Sequence, residues 1–207
     1  MKTMAVKFCG LRRRQDIEYV NECTPDYAGF ILSAGFGRSI DMGTFYELTS
    51  FLLGDVKRVG VFVNEPIENI LRQGYNESLD VIQLHGNEDN NYIKGLREIF
   101  SGEIWKAVRA ECPGDIEREQ EKPCDRLLID SYVKGAVGGT GKRIDTANVT
   151  SAKITKPFFI AGGIDAGNLA EIMGETNPFG VDISSGIETE GVKDIEKMKR
   201  IMGILRG

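Results

Sequence analysis

Two residues of this 207-residue chain stand where acid–base chemistry would be done. The run Met4-Ala5-Val6-Lys7-Phe8-Cys9 ends in a thiol followed by Gly10, and the run Arg126-Leu127-Leu128-Ile129-Asp130 ends in a carboxyl group. A free cysteine is more often a small buried hydrophobe. A thiol at a strand end beside glycine is accessible, however, and as a thiolate it can act as nucleophile or general base. A carboxyl closing an apolar strand is costly unless paired or used, and partly desolvated it can hold a proton and serve as a general acid.

Three glycine-rich segments lie late in the chain: Gly138-Gly139-Thr140-Gly141-Lys142, Ala161-Gly162-Gly163-Ile164 and Ser184-Ser185-Gly186. Glycine lets backbone approach a ligand closely, and loop amides near helix N-termini suit a phosphate. The first segment is not a P-loop: Ala136 stands five residues before Gly141, and Arg143 takes the place of the required Ser or Thr. Arg38, inside Ala34-Gly35-Phe36-Gly37-Arg38, has the planar fork that grips a carboxylate or phosphate, although a lone arginine is as often a surface charge. His85 is the only histidine, which excludes a multi-histidine zinc site and HExxH, and no metal ligand set is predicted. Its commoner role is a hydrogen-bonded structural one, but its place at a strand end also makes it a candidate substrate-binding residue. Asp182 is expected to be a barrel-internal or loop-bracing carboxylate.

The elements that must position these groups are eight short apolar runs rich in β-branched residues: 4–9, 27–32, 58–63, 79–85, 104–108, 126–130, 157–161 and 179–184. Near-continuous apolar runs are the mark of parallel strands covered on both faces. Helical stretches separate them, at 13–23, 42–53, 66–75, 88–100, 165–174 and 191–207, with Asp165 and Glu88 as expected start signals. Residues 111–124, mostly charged with Pro113 and Pro123 at the margins, predict a short or poor helix. Eight runs give about 26 residues per βα unit, which fits an α/β fold of the compact (β/α)8 TIM-barrel kind, read as a single domain over 1–207. A doubly wound open sheet is the main competitor and usually needs fewer strands. In a barrel, chemistry collects where strands end, and a phosphate sits at the loops after strands seven and eight. Those are the loops of Gly162, Gly163, Ser184 and Ser185.

A net charge of −5 argues against a nucleic-acid partner. No apolar stretch approaches the ~20 residues of a membrane span, and the N-terminus, reaching Arg12-Arg13-Arg14 at once, does not read as a signal peptide. The chain is therefore expected in the cytoplasm, away from membranes. Cys9, Cys23, Cys112 and Cys124 form no CxxC pair and are expected as free thiols. The dinucleotide fingerprint is missing. The inventory is a thiol and a carboxylic acid beside a phosphate site, which suits cofactor-free proton transfer on a small phosphorylated substrate.

At these residues the sequence resembles the phosphoribosylanthranilate isomerase family over nearly its whole length. The resemblance runs through Lys7-Phe8-Cys9-Gly10-Leu11, Gly29-Phe30, Arg38, Val61-Phe62-Val63-Asn64, Gln83-Leu84-His85-Gly86 and Leu128-Ile129-Asp130. It continues through Gly138–Lys142, Ala161–Ile164, Val181-Asp182-Ile183-Ser184-Ser185-Gly186-Ile187-Glu188 and Gly191-Val192-Lys193-Asp194. It implies an Amadori rearrangement of N-(5-phosphoribosyl)anthranilate in tryptophan biosynthesis, with no cofactor. Asp130 would be the general acid at the furanose oxygen and Cys9 the general base at C2′. Arg38 would bind the anthranilate carboxylate; Gly162, Gly163, Ser184 and Ser185 would hold the phosphate. The chain departs from the family at 33–39, which lacks the usual proline and lysines, and at Ile144-Asp145-Thr146, where Phe-Asp-Trp is common.

Two other readings compete. The related histidine-pathway isomerases carry a carboxylate where Cys9 stands, so the thiol weighs against them. A non-catalytic phosphate-binding barrel would not need both Cys9 and Asp130. A monomer or a homodimer is expected.

Overall fold

The structure is a computed structural model, describing residues 4–131 and 144–207. The glycine-rich segment Gly138–Lys142 lies outside the described residues. Eight parallel strands close into a barrel in chain order: β1 (Ala5–Cys9), β2 (Tyr27–Ile31), β3 (Lys57–Phe62), β4 (Val81–Leu84), β5 (Glu103–Arg109), β6 (Arg126–Asp130), β7 (Phe158–Ile160) and β8 (Gly180–Ile183), with β8 pairing back onto β1. Each lies on one of the eight apolar runs, and closure excludes the open sheet. The helices are α1 (Arg14–Cys23), α2 (Met42–Ser50), α3 (Ile67–Arg72), α4 (Tyr75–Ser78), α5 (Asn90–Ile99), α6 (Pro113–Glu119), α7 (Thr146–Ser151), α8 (Leu169–Thr176) and α9 (Ile195–Arg206). After β8 come a single 3-10 turn, Ser185–Ile187, and a hairpin of β9 (Glu188–Thr189) and β10 (Val192–Lys193).

Strand alternation divides the core in two. Outward residues such as Val6, Phe8, Phe30 and Ile82 join helix residues such as Ile17, Phe45, Ile93 and Met198 in the larger cluster. Inward residues form a smaller apolar cluster that includes Tyr27, Trp105 and Phe159. Trp105 stacks on Phe159 with ring centroids 4.4 Å apart, and Tyr27 meets both rings edge-on. Gly180 makes room, since a Cβ there would sit 2.4 Å from the Phe159 ring. Tyr27 and Trp105 come from the first half of their strands and, with Phe159 at the middle of β7, seal the barrel floor. Polar inward residues, Lys7, Gln83 and Asp182, follow one step further along, and Cys9 and Asp130 come at the strand ends. The barrel thus runs from apolar floor to reactive rim.

Two expected helix starts are displaced. Asp89, not Glu88, caps α5, its side chain accepting from Tyr92 N at 2.8 Å. Glu88 is one methylene longer and turns inward, where its carboxylate accepts from the amides of Asn64 and Gly86 and pairs with buried Lys106 at 3.2 Å. Asp165 accepts from Gly167 N at 2.7 Å and so closes a turn, and α8 begins only at Leu169. The segment 66–75 breaks into α3 and α4 at Gly74, whose φ is +67°. The poor helix at 111–124 is the seven-residue α6, with Pro113 in its first turn.

Candidate active site

A cavity of about 310 Å3 opens at the C-terminal ends of the strands, a size suited to one small metabolite. Cys9, Arg38, His85 and Asp130 line it, as do Gly162, Gly163, Ser184 and Ser185. All eight residues singled out in the sequence therefore meet at one place. Cys9 comes from β1 and Asp130 from β6, with β7 and β8 between them.

Both reactive groups are largely enclosed, at 7% and 8% exposure. Burial pushes the Cys9 thiol above its ordinary range, opposed chiefly by the Lys7 ammonium. Asp130 Oδ1 accepts from the Ser131 amide at 2.8 Å, and its Oδ2 lies 3.4 Å from His85 Nε2. That approach is not aligned as a hydrogen bond, and among the described residues His85 Nε2 has no hydrogen-bond partner; nor has Gln83 Oε1. Gln83 Nε2 meets His85 Nδ1 at 3.1 Å, and Arg109 holds the His85 carbonyl at 2.7 Å. Two unsatisfied buried polar atoms beside one cavity are what a polar ligand would satisfy.

Arg38 lies in the loop after β2 and reaches across to Glu188 of β9. Its Nε and Nη2 donate to the two carboxylate oxygens at 2.9 and 2.7 Å. Lys193 adds a third charged donor to Glu188 at 2.7 Å and also donates to the Ser184 carbonyl at 3.0 Å. Burial raises the Glu188 carboxyl, but the bonds and charges of Arg38 and Lys193 outweigh it and hold the group below the usual carboxylate range. The bond to Glu188 likewise raises Arg38. With Nε and one Nη2 proton committed, the Nη1 side of the fork stays available for a carboxylate. Gly10 permits the crossing, because a Cβ there would meet Arg38 Cδ at 2.6 Å.

At the β7 loop, Gly162 and Gly163 both have positive φ, +98° and +60°, a conformation that strains other residues. A Cβ on Gly162 would also meet the Ser131 amide and hydroxyl at 2.8 Å. The backbone therefore comes close to β6 here and leaves no side chain between loop and cavity. Across the barrel seam, Ser184 Oγ donates to the Cys9 carbonyl at 3.1 Å, fastening the β8 loop to the end of β1.

Four residues at the site had no role assigned from their type and position alone: Lys7, Gln83, Glu188 and Lys193. The signal for the first two was present, since a lysine and a glutamine inside apolar strand runs have to be accounted for by partners. Asp182, expected as a barrel-internal or loop-bracing carboxylate, is barrel-internal and pairs with buried Lys7 at 3.0 Å. Cys23 and Cys124 are buried free thiols away from the cavity lining, and Cys112 is an exposed free thiol. Among the described residues no cluster of His, Cys, Asp or Glu could hold a metal ion, and no helix is long and apolar enough to cross a membrane.

A closed eight-stranded parallel barrel with its cavity at the strand C-termini defines the class of (β/α)8-barrel enzymes. Residues 6–203 match the family model described as N-(5'phosphoribosyl)anthranilate (PRA) isomerase. An N-(5'-phosphoribosyl)anthranilate isomerase of Thermoanaerobacter sp. (strain X514) is 41% identical over 202 residues, covering 98% of each chain. Among solved structures, the phosphoribosyl anthranilate isomerase of Thermus thermophilus superposes with a TM-score of 0.86 at 30% identity, covering 98% of both chains. Another such isomerase, solved with reduced 1-(o-carboxyphenylamino)-1-deoxyribulose 5-phosphate, has a TM-score of 0.80 at 27% identity over 99% of both chains. The chain belongs to the N-(5'-phosphoribosyl)anthranilate isomerase family, an isomerase family of tryptophan biosynthesis.

Proposed function

We propose that this barrel converts N-(5-phosphoribosyl)anthranilate to 1-(2-carboxyphenylamino)-1-deoxyribulose 5-phosphate, with Asp130 as acid and Cys9 as base. The observation that carries the reading is their convergence, from β6 and β1, on one cavity that also holds Arg38 and the Gly162 and Ser184 loops. Asp130 delivers a proton to the furanose ring oxygen as the C1′–O bond breaks, leaving a protonated Schiff base with the anthranilate nitrogen. The Cys9 thiolate removes the C2′ proton, and the electron pair moves to neutralise the iminium. The enolamine that results tautomerises to the ketone. Positioned acid–base groups of this kind each contribute about 10²–10⁴-fold.

Substrate orientation follows from the lining. The Nη1 edge of Arg38 takes the anthranilate carboxylate, and the loops of Gly162, Gly163, Ser184 and Ser185 take the phosphate. Gln83 Oε1 and His85 Nε2, both without a partner among the described residues, face the sugar between them. Every side chain used comes from one chain, so the reading requires no partner subunit. The cytoplasm is the proposed location, where the chain's thiols would stay reduced.

The test is to generate the substrate in situ and follow its anthranilate-type fluorescence. Added protein should extinguish the signal rapidly. A well-folded preparation that leaves it unchanged would refute the proposal and turn attention to histidine-pathway aminoaldoses.

A further inference from the structure

We propose that Lys7 and Asp182 are positioning residues for Cys9: the carboxylate and the sulfur share the Lys7 ammonium, and that sharing sets the pH at which the thiol becomes a base. The inference rests on Cys9 being the base.

Lys7 is fully buried, yet it points into the barrel and not into the outer core. Its Nζ lies 3.0 Å from both Asp182 oxygens. The two residues are register partners across the β1–β8 seam, where the barrel closes. Cys9 is the next inward residue of β1, directly above. Gly29 of β2 shows how close the two side chains run: a Cβ there would lie 2.9 Å from Cys9 Sγ and 3.0 Å from Lys7 Cε. The absent side chain at position 29 leaves a space that both side chains border, and the ammonium lies within Coulombic reach of the sulfur.

The other deeply buried lysines make the contrast. Lys106 is held by Glu88 and the carbonyls of Gly86 and Ala107, and Lys193 by Glu188 and by both the carbonyl and the hydroxyl of Ser184. Both are saturated by oxygen. An ammonium has three N–H donors, and among the described residues Lys7 gives hydrogen bonds only to the two Asp182 oxygens, so its charge is less fully neutralised by oxygen and can also serve the neighbouring Cys9 sulfur. Stability gives no reason to keep such a pair, since well-packed apolar residues usually replace a buried ion pair without loss. A cation delivered beneath a reactive thiol is a reason.

The groups facing Cys9 come from several elements. Lys7 (β1) and, more weakly, Lys193 (β10) favour the thiolate, while Asp182 (β8) opposes it. The Arg38 guanidinium, from the loop after β2, also lies within Coulombic reach of the sulfur. Asp130 and His85 act on Asp182 from the far side of the cavity. Burial pulls Lys7 down, but Asp182 and Cys9 outweigh it and keep it protonated. The sulfur and the carboxylate therefore compete for one fixed positive charge. Loss of the carboxylate should free that charge for the thiolate, and loss of the lysine should leave the thiol without its main support.

The two variants should consequently move Cys9 in opposite directions, which general damage to the barrel would not do. Labelling of Cys9 by iodoacetamide, read by peptide mass spectrometry so that Cys23, Cys112 and Cys124 are scored separately, gives its titration midpoint in the full chain. Asp182→Asn should lower the midpoint by about one pH unit, making labelling below the midpoint ~10-fold faster. Lys7→Met should raise it by about as much. The acid limb of kcat/KM should follow each shift. An unchanged or raised midpoint in folded Asp182→Asn would overturn the proposal. If Lys7→Met does not fold, Asp182→Asn decides alone. Opposite midpoint shifts with an unmoved acid limb would sustain the shared cation and overturn Cys9 as the base.

Discussion

Glu188 offers the sharpest perturbation of substrate binding. Its side chain is 7% exposed and receives three charge-assisted bonds, from Arg38 Nε and Nη2 and from Lys193. If Arg38 grips the substrate carboxylate, Glu188 holds that fork in plane before substrate arrives. Glu188→Gln keeps the shape but replaces one acceptor with an N–H₂ group that faces cations. Arg38 then has to be immobilised by the substrate itself. An arginine side chain carries about 2 kcal/mol of rotamer entropy, and every 1.4 kcal/mol is tenfold in an equilibrium. KM should therefore rise by roughly 10–30-fold. The value of kcat should stay within about threefold, because Glu188 does not touch the reacting carbons and so acts on ground state and transition state alike. Initial rates of fluorescence loss measure both constants. An aniline analogue of the substrate, lacking the carboxylate, supplies the control: wild type and variant should then have the same KM. An unchanged KM would refute the reasoning, as would a lowered KM, which would make Glu188 a competitor for Arg38. An equal penalty with the analogue would also refute it.

Other consequences follow from the same geometry. Gly186→Ala would place a Cβ 1.8 Å from the Ile164 carbonyl oxygen, backbone against backbone. It should cost at least the ~1–3 kcal/mol of overpacking, or about 3–10 °C in Tm by thermal melting, and a wild-type Tm would show that the β7 and β8 loops do not touch as described. Inorganic phosphate should stabilise the fold by mass action, by about 2.7 kcal/mol at a hundredfold excess over Kd, and an unmoved melting curve at high phosphate would count against the loop site. Glu188, depressed by Arg38 and Lys193, contributes stability above its unfolded pKa near ~4.3, and this is lost as pH falls through the lower folded value. Urea midpoints should therefore decline below about pH 4, and Glu188→Gln should flatten that decline; identical acid limbs would remove Glu188 from the ledger.

The barrel could be read from the sequence because its strands are covered on both faces. Most positions of each run, inward and outward alike, are apolar, and eight such runs recur along the chain. The reactive residues were visible for a related reason. Cys9 and Asp130 end such runs, so the fold that places the strands also places them. The charged network beneath was harder to see. Lys7 and Asp182 are 175 residues apart and become neighbours only when β8 closes on β1. Arg38 and Glu188, 150 apart, meet because a loop crosses over Gly10. Helix starts failed where two acidic residues adjoin, as at Glu88-Asp89, since local spacing does not say which of them a buried lysine will claim. The loop Gly138–Lys142, singled out for its glycines, lies outside the described residues.

The central claim is that Cys9 and Asp130 are the base and the acid of one isomerisation. Its most direct test is the turnover number of Cys9→Ala and Asp130→Ala, measured beside their Tm and their affinity for the reduced product analogue. Each variant should lose at least ~10²-fold in kcat while melting and binding stay close to wild type. Either variant turning over like wild type would contradict it.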